Sequence, residues 1–168
     1  MMRELVGCWR LESVEYRVNG KRVYPFGECP SGRLVYSESG YMSVILMTSG
    51  RKRIGFLSDL FYTREVSVFA KFRGLLRYMR ASIQGMSYSG RYTREGDQVT
   101  HYIDVASYPD LEGEKRVRWL EFDGNHLVLK AQDAAVSHGR LVWRRETPVE
   151  QRSGGVADCT GREMNVGG

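Results

Sequence analysis

Hydrophobic and polar residues alternate along most of this chain, and the alternation is interrupted once. Leu5 to Val18 (LVGCWRLESVEYRV) reads as an imperfect strand ending at Asn19-Gly20, the strongest short hairpin signal. Lys21 to Phe26 returns as a short strand, after which Pro25, Gly27, Pro30 and Gly32 mark a loop. Arg33 to Tyr36 and Tyr41 to Met47 alternate again, joined by the tight turn Ser37-Glu38-Ser39-Gly40. Beyond residue 85 the pattern is continuous. Met86 to Arg94, Gln98 to Tyr108, Lys115 to Phe122, His126 to Ala131 and Gly139 to Arg145 are separated by Glu95-Gly96-Asp97, Leu111-Glu112-Gly113 and Asp123-Gly124-Asn125. About eight or nine short antiparallel strands at this spacing predict a meander, and closing it removes its exposed edges. A barrel of about eight strands is just wide enough for side chains or one small ligand.

The interruption has a different period. Ile54 to Tyr62 is apolar without alternation and suits a lid-like segment or a short helix. From Thr63, an N-cap candidate with Glu65 in the first turn, the spacing becomes helical. Val68, Phe72, Leu75, Met79 and Ile83 fall on one stripe with Leu76 beside it, while Lys71, Arg73, Arg77 and Arg80 occupy much of the remainder. Gly74 weakens this helix by about 1 kcal/mol relative to alanine. The expected class is therefore mainly all-β: a single antiparallel barrel with one inserted amphipathic helix. Residues 1–146 form the domain. The polar tail 147–168, with Gly154-Gly155 and Gly167-Gly168, reads as disordered.

Composition narrows the classes. A chain of 168 residues, 42% apolar, is one ordinary domain. No run approaches the roughly 18 apolar residues of a membrane span, and the opening Met-Met-Arg-Glu-Leu-Val-Gly lacks a signal-peptide layout. A cytoplasmic protein without stable membrane insertion is expected, as a monomer or homodimer. Cys8, Cys29 and Cys159 are odd in number and far apart, which supports neither a disulfide framework nor a zinc site. The net charge of +5 is modest and its arginines are dispersed, so nucleic acid is not an expected partner. The basic helix offers a contact for anionic lipid or nucleic acid, set against a solvated face over a barrel mouth; the latter is favoured. There is no phosphate-binding Gly-rich loop and no Gly-x-Ser-x-Gly elbow. His101, His126 and His138 are widely spaced, so neither a cofactor nor a metal is called for.

Several segments, in order, resemble the lipocalin-like domain family, a branch of the calycin-type barrels. They are Leu5-Val6-Gly7-Cys8-Trp9-Arg10-Leu11, with its Gly-x-Trp opening, Tyr24-Pro25-Phe26-Gly27, Gly32-Arg33-Leu34-Val35-Tyr36 and Gly40-Tyr41-Met42-Ser43. Gly90-Arg91-Tyr92, Val99-Thr100-His101 and Arg140-Leu141-Val142-Trp143-Arg144-Arg145 follow, so that residues 4 to 145 are covered. The resemblance implies a barrel with a central cavity and a helix near its mouth. It also implies a small apolar ligand, and some calycin-type barrels act as cyclases or isomerases in natural-product pathways. It fixes no activity. Trp9 is expected to pack across one end, with Arg144 or Arg145 stacked on it.

His101 is the residue most in need of a role. It shares the apolar face of its strand with Val99, Ile103 and Val105, where it is either a core histidine bonded to a neighbour or a cavity residue able to transfer protons. Tyr88 and Tyr92 share one face, and Tyr41 and Ser43 another; their hydroxyls either orient a ligand carbonyl or pack. Strict alternation from Trp9 sends Glu15 inward, where it would form an acid–base pair with His101; a bulge would return it to solvent. The candidate catalytic residues are thus His101, Tyr92 and Glu15. The candidate ligand-binding residues are Tyr41, Ser43, Tyr88, Ile103, Val105, Arg118, Trp119 and Phe72. The expected activity is enclosure of a small apolar molecule with cofactor-independent cyclisation or isomerisation, against simple carriage of the same ligand.

Overall fold

The computed structural model describes residues 4–51, 68–133 and 136–147. Its strands are β1 (Gly7–Val18), β2 (Lys21–Val23), β3 (Pro30–Tyr36), β4 (Tyr41–Thr48), β5 (Gly85–Glu95), β6 (Gln98–Ala106), β7 (Lys115–Asp123), β8 (His126–Asp133) and β9 (Val136–Arg145), with helix α1 (Val68–Ile83) between β4 and β5. The sheet runs β2-β1-β3-β4-β5-β6-β7-β8-β9, and β9 also pairs with β1. That last pairing, from Trp9 opposite Arg145 to Arg17 opposite His138, closes an antiparallel barrel of eight strands. The short β2 is left flanking β1, joined to it by a hairpin whose Asn19 and Gly20 both hold positive φ, 50° and 77°. Among the described residues, the barrel and the inserted helix α1 are those that the sequence pattern predicts. Pro30 opens β3, a position where its missing N–H is tolerated.

Bulges decide which residues face inward. In β1, Leu11 pairs with Trp143 and Ser13 with Val142, so Glu12 is unpaired and the alternation shifts by one. Trp9, Leu11 and Val14 are buried as a result. Glu15 faces out, where its carboxylate lies 3.3 Å from Arg22 and 4.0 Å from Arg17. The inward Glu15 of strict alternation is thereby corrected. In β6, Ile103 pairs with Gly90 and Val105 with Ser89, which leaves Asp104 unpaired. Val99, His101 and Ile103 are buried, but Val105 is 63% exposed. Its expected place on the inner wall is corrected for the same reason. Gly90 permits this bulge, since a Cβ there would stand 1.9 Å from the Tyr102 carbonyl oxygen.

One end of the barrel is sealed. Gly7 holds φ 136°, a conformation L side chains rarely adopt, and this carries the chain under Arg145. The Arg145 guanidinium stacks 4.1 Å from the Trp9 ring centre and donates to the carbonyls of Val6, at 3.0 Å, and Glu4. The Trp9 indole N–H donates to the Leu5 carbonyl at 2.9 Å, and its ring meets Phe122 with centroids 6.3 Å apart. Arg145, not Arg144, is therefore the stacking partner.

At the other end, α1 attaches by its last turn. The Thr48 N–H donates to the Gln84 carbonyl at 2.9 Å, and a cleft of about 260 Å³ is lined by Met47, Tyr78, Ser82, Ser87 and Ser107. The predicted apolar stripe of the helix does not enter the barrel. Phe72 is 56% exposed, and Leu75, Met79 and Ile83 are exposed with it. Phe72 as an interior ligand contact is corrected: a helix anchored at its C-terminal turn leaves the preceding turns outside. No described helix is long and apolar enough to cross a membrane. The lid-like reading of Ile54 to Tyr62, the Thr63 N-cap and the tail from residue 148 lie outside the described residues.

Candidate functional site

The middle of the inner wall is apolar except for one polar band. His101, 1% exposed, is the sole buried polar residue among the described residues. Its Nε2 lies 2.6 Å from the Tyr36 hydroxyl on β3, and its Nδ1 lies 3.2 Å from the Tyr88 hydroxyl on β5. The Tyr36 ring is braced edge-on by Tyr92, with centroids 4.8 Å apart. Three strands thus contribute to one chain of aromatic groups, because alternation on β3, β5 and β6 puts Leu34/Tyr36, Tyr88/Gly90/Tyr92 and Val99/His101/Ile103 on the same side of the sheet. The contribution of β7 is cationic. Arg118 pairs directly with Val99, and Arg116 with His101, and residues opposite one another share a face.

Electrostatics keep the band neutral at its centre. Burial, and then the Arg118 guanidinium, lower the His101 pKa to about 3. Burial likewise pushes the Tyr36 phenol well up, helped by the neighbouring Tyr88 and opposed by Arg118. The Tyr88 phenol is raised by burial too, against Arg118 and Arg116. At neutral pH the group is an imidazole between two phenols, with three donor protons for two contacts. In either tautomer one phenol O–H has no partner within the chain Tyr36–His101–Tyr88. We assign the tautomer in which Tyr36 donates its O–H to Nε2 across 2.6 Å and Nδ1–H is donated to Tyr88 across 3.2 Å. The Tyr88 proton is then the one offered to the barrel interior. A histidine with so low a pKa is a poor base, so the band donates hydrogen bonds rather than removing protons.

The Gly7, Trp9 and Arg145 cluster seals the barrel as the Gly-x-Trp opening implies, and the lipocalin-like domain profile matches residues 6–147. The chain belongs to the lipocalin-like domain family. No curated protein matches it. Among solved structures it is similar to an uncharacterized protein from Bacteroides eggerthii, at 13% identity over 84% of this chain and 99% of that one, with a TM-score of 0.43. It is similar also to a lipocalin-like protein from Bacteroides uniformis, at 12% identity over 85% and 99% of the two chains (TM-score 0.41). The wild-type fluorescent protein UnaG shares 12% identity over 87% and 100%, with a TM-score of 0.39. Likenesses this distant carry no argument about the ligand.

In this lipocalin-like domain the remaining candidates separate by face. Tyr88, Tyr92, His101, Ile103 and Arg118 point inward. Tyr92, however, commits its hydroxyl proton to the Ser37 carbonyl at 2.8 Å, so it braces Tyr36 and has no proton to offer a ligand. Tyr41, 57% exposed, and Ser43 lie on the outer face of β4, because Met42, Val44 and Leu46 take the inner one. Trp119, 48% exposed, lies outside β7, because Leu120 and Arg118 alternate inward around it. Tyr41, Ser43 and Trp119 as cavity residues are corrected accordingly. Two members of the band escaped the sequence reading: Tyr36, on the inner face with Leu34, and Arg116, two residues before Arg118. Period-two alternation from Leu34 and from Arg118 carries the signal for both.

Proposed function

We propose that this domain encloses a small, largely apolar molecule and orients it by hydrogen bonds from the band at His101. The observation that carries this reading is the buried Tyr36–His101–Tyr88 chain, flanked by Arg116 and Arg118, on an inner wall whose other buried side chains are apolar. Small-ligand sites combine these ingredients: apolar lining and a few placed polar groups. Fluorescence titration with methyl parinarate, an uncharged polyene, tests it. Saturable one-to-one binding is expected, weakened about tenfold in Tyr88→Phe while cooperative unfolding is retained. Absence of saturable binding to the wild type overturns the reading.

A second reading, cofactor-independent cyclisation or isomerisation of the enclosed molecule, is favoured by the same donor. A phenol O–H beside a neutral imidazole can polarise a conjugated carbonyl, and confinement in a barrel selects a folded conformer. Both act without a strong base, as the low His101 pKa requires. Incubation with linear polyene carbonyl compounds checks it: cyclised or isomerised product must form faster than in buffer, and more slowly in Tyr88→Phe. Equal rates with and without protein leave only the carrier.

A further inference from the structure

We propose that α1 docks this domain on an anionic lipid surface, lying flat among the headgroups with its apolar stripe toward the acyl chains and its arginines on the phosphates. The first observation is which way the helix faces. Gly74 and Ala81 are half-buried, where the other described side chains of α1 are exposed. Tyr78, Ala81 and Ser82 line the cleft against Met47, Ser87 and Ser107. At about 100° per residue these four helix positions share one side. Phe69, Phe72, Leu76, Met79 and Ile83 fall on the opposite side and are 48% to 74% exposed. A surface helix ordinarily turns such a stripe to the core. This one rests on the barrel by small and polar residues and turns the stripe away.

The second observation is charge. Arg73, Arg77 and Arg80 run along one border of the stripe, all exposed, and the helix sequence VFAKFRGLLRYMRASI contains no Asp or Glu. Among the described residues no carboxylate pairs with any of the three. A solvated face over the barrel mouth accounts for the arginines but not for the stripe, which stands in water beside them. A second copy of the chain covers the stripe but sets the arginines of two helices together with no acid on either to answer them. A nucleic acid answers the arginines and leaves the stripe bare. An anionic bilayer meets both demands, with hydrocarbon for the stripe and phosphate for the guanidinium groups. The helix is not long and apolar enough to cross that bilayer, so it lies on it. Docking of this kind stands whether or not the barrel holds a ligand.

Co-sedimentation of the full chain with lipid vesicles tests this. The vesicles are phosphatidylcholine alone or an equimolar mixture with phosphatidylglycerol, and thermal unfolding and sedimentation velocity are recorded for each protein. The wild type is expected to bind the anionic vesicles at least about tenfold more tightly than the neutral ones, and less tightly as salt rises. Replacing Arg73, Arg77 and Arg80 together by Gln weakens binding to the anionic vesicles by about a hundredfold. Phe72→Ser combined with Met79→Ser weakens it by at least about tenfold, with the melting temperature unchanged. Absence of wild-type binding to the anionic vesicles at low salt overturns the proposal. So does binding lost with the arginines but indifferent to Phe72→Ser with Met79→Ser, since the stripe is then not in the lipid. A wild-type dimer that this pair of substitutions dissociates gives the stripe to a second copy instead. A large fall in melting temperature in the same variant gives the stripe to the fold and contradicts docking.

Discussion

Two arginines face into this barrel from opposite ends of its logic. Arg145 at the sealed end covers the Trp9 ring and donates to two backbone carbonyls, those of Val6 and Glu4. Arg33 and Arg10 nearby share the Glu146 carboxylate, at 2.7 Å and 3.5 Å. Arg145, Arg33 and Arg10 are thus answered by the protein itself. Arg118, on the wall of the polar band, has a single carbonyl from its own strand and no carboxylate among the described residues. A guanidinium answered by its own fold is a structural device. Arg118 lacks that anchoring: beside a neutral histidine, its one hydrogen bond is to the carbonyl of the preceding residue.

The contrast can be broken by mutation. Trp9→Ala is expected to lose about 3–5 kcal/mol of stability, since it empties a fully buried site and strands Arg145. Urea denaturation measures this, and a loss below 1 kcal/mol would remove the sealed end from the account. His101→Ala is expected to cost about 2–4 kcal/mol, because it leaves a cavity and takes the partner from two phenols. Arg118→Met is expected to leave stability unchanged within about 0.5 kcal/mol, or to raise it, because a cation without a partner gives way to an apolar side chain. If Arg145→Met and Arg118→Met prove equally destabilising, the distinction between the two ends fails.

Acid sharpens the same contrast. His101 has a folded pKa of about 3 against an unfolded value of 6.5, so the unfolded chain takes up its proton first. Its contribution is complete above pH 6.5 and is lost as pH falls toward 3. Between pH 7 and pH 5 this one residue removes about 2 kcal/mol. Denaturation of wild type and His101→Gln at both pH values isolates that share: the variant's stability should fall by less, the difference being the histidine's own.

Much of the architecture is legible in the sequence because turn chemistry and alternation are local. Asn19-Gly20, Ser37-Glu38-Ser39-Gly40 and Asp123-Gly124-Asn125 each join the strands that their composition predicts. The site is less legible, for two physical reasons. Period-two reading loses phase at a bulge, and the unpaired Glu12 and Asp104 reverse the faces of Glu15 and Val105. Where both faces of a strand are partly apolar, alternation cannot say which is inner. Tyr41 and Ser43 on β4, and Trp119 on β7, lie on the outer of two such faces. Tyr36 meets His101 across 65 residues of chain, a pairing created by barrel closure and not by spacing. The helical stripe through Phe72 shows a third limit, since amphipathicity gives a face but not its neighbour.

The ¹⁵N spectrum of the His101 ring, recorded at pH 5 with and without saturating methyl parinarate, tests the central claim most directly. The account predicts a neutral ring protonated at Nδ1, whose nitrogen shifts move when the probe accepts a hydrogen bond from the Tyr88 hydroxyl. An imidazolium at pH 5, or ring signals indifferent to a bound probe, would contradict it.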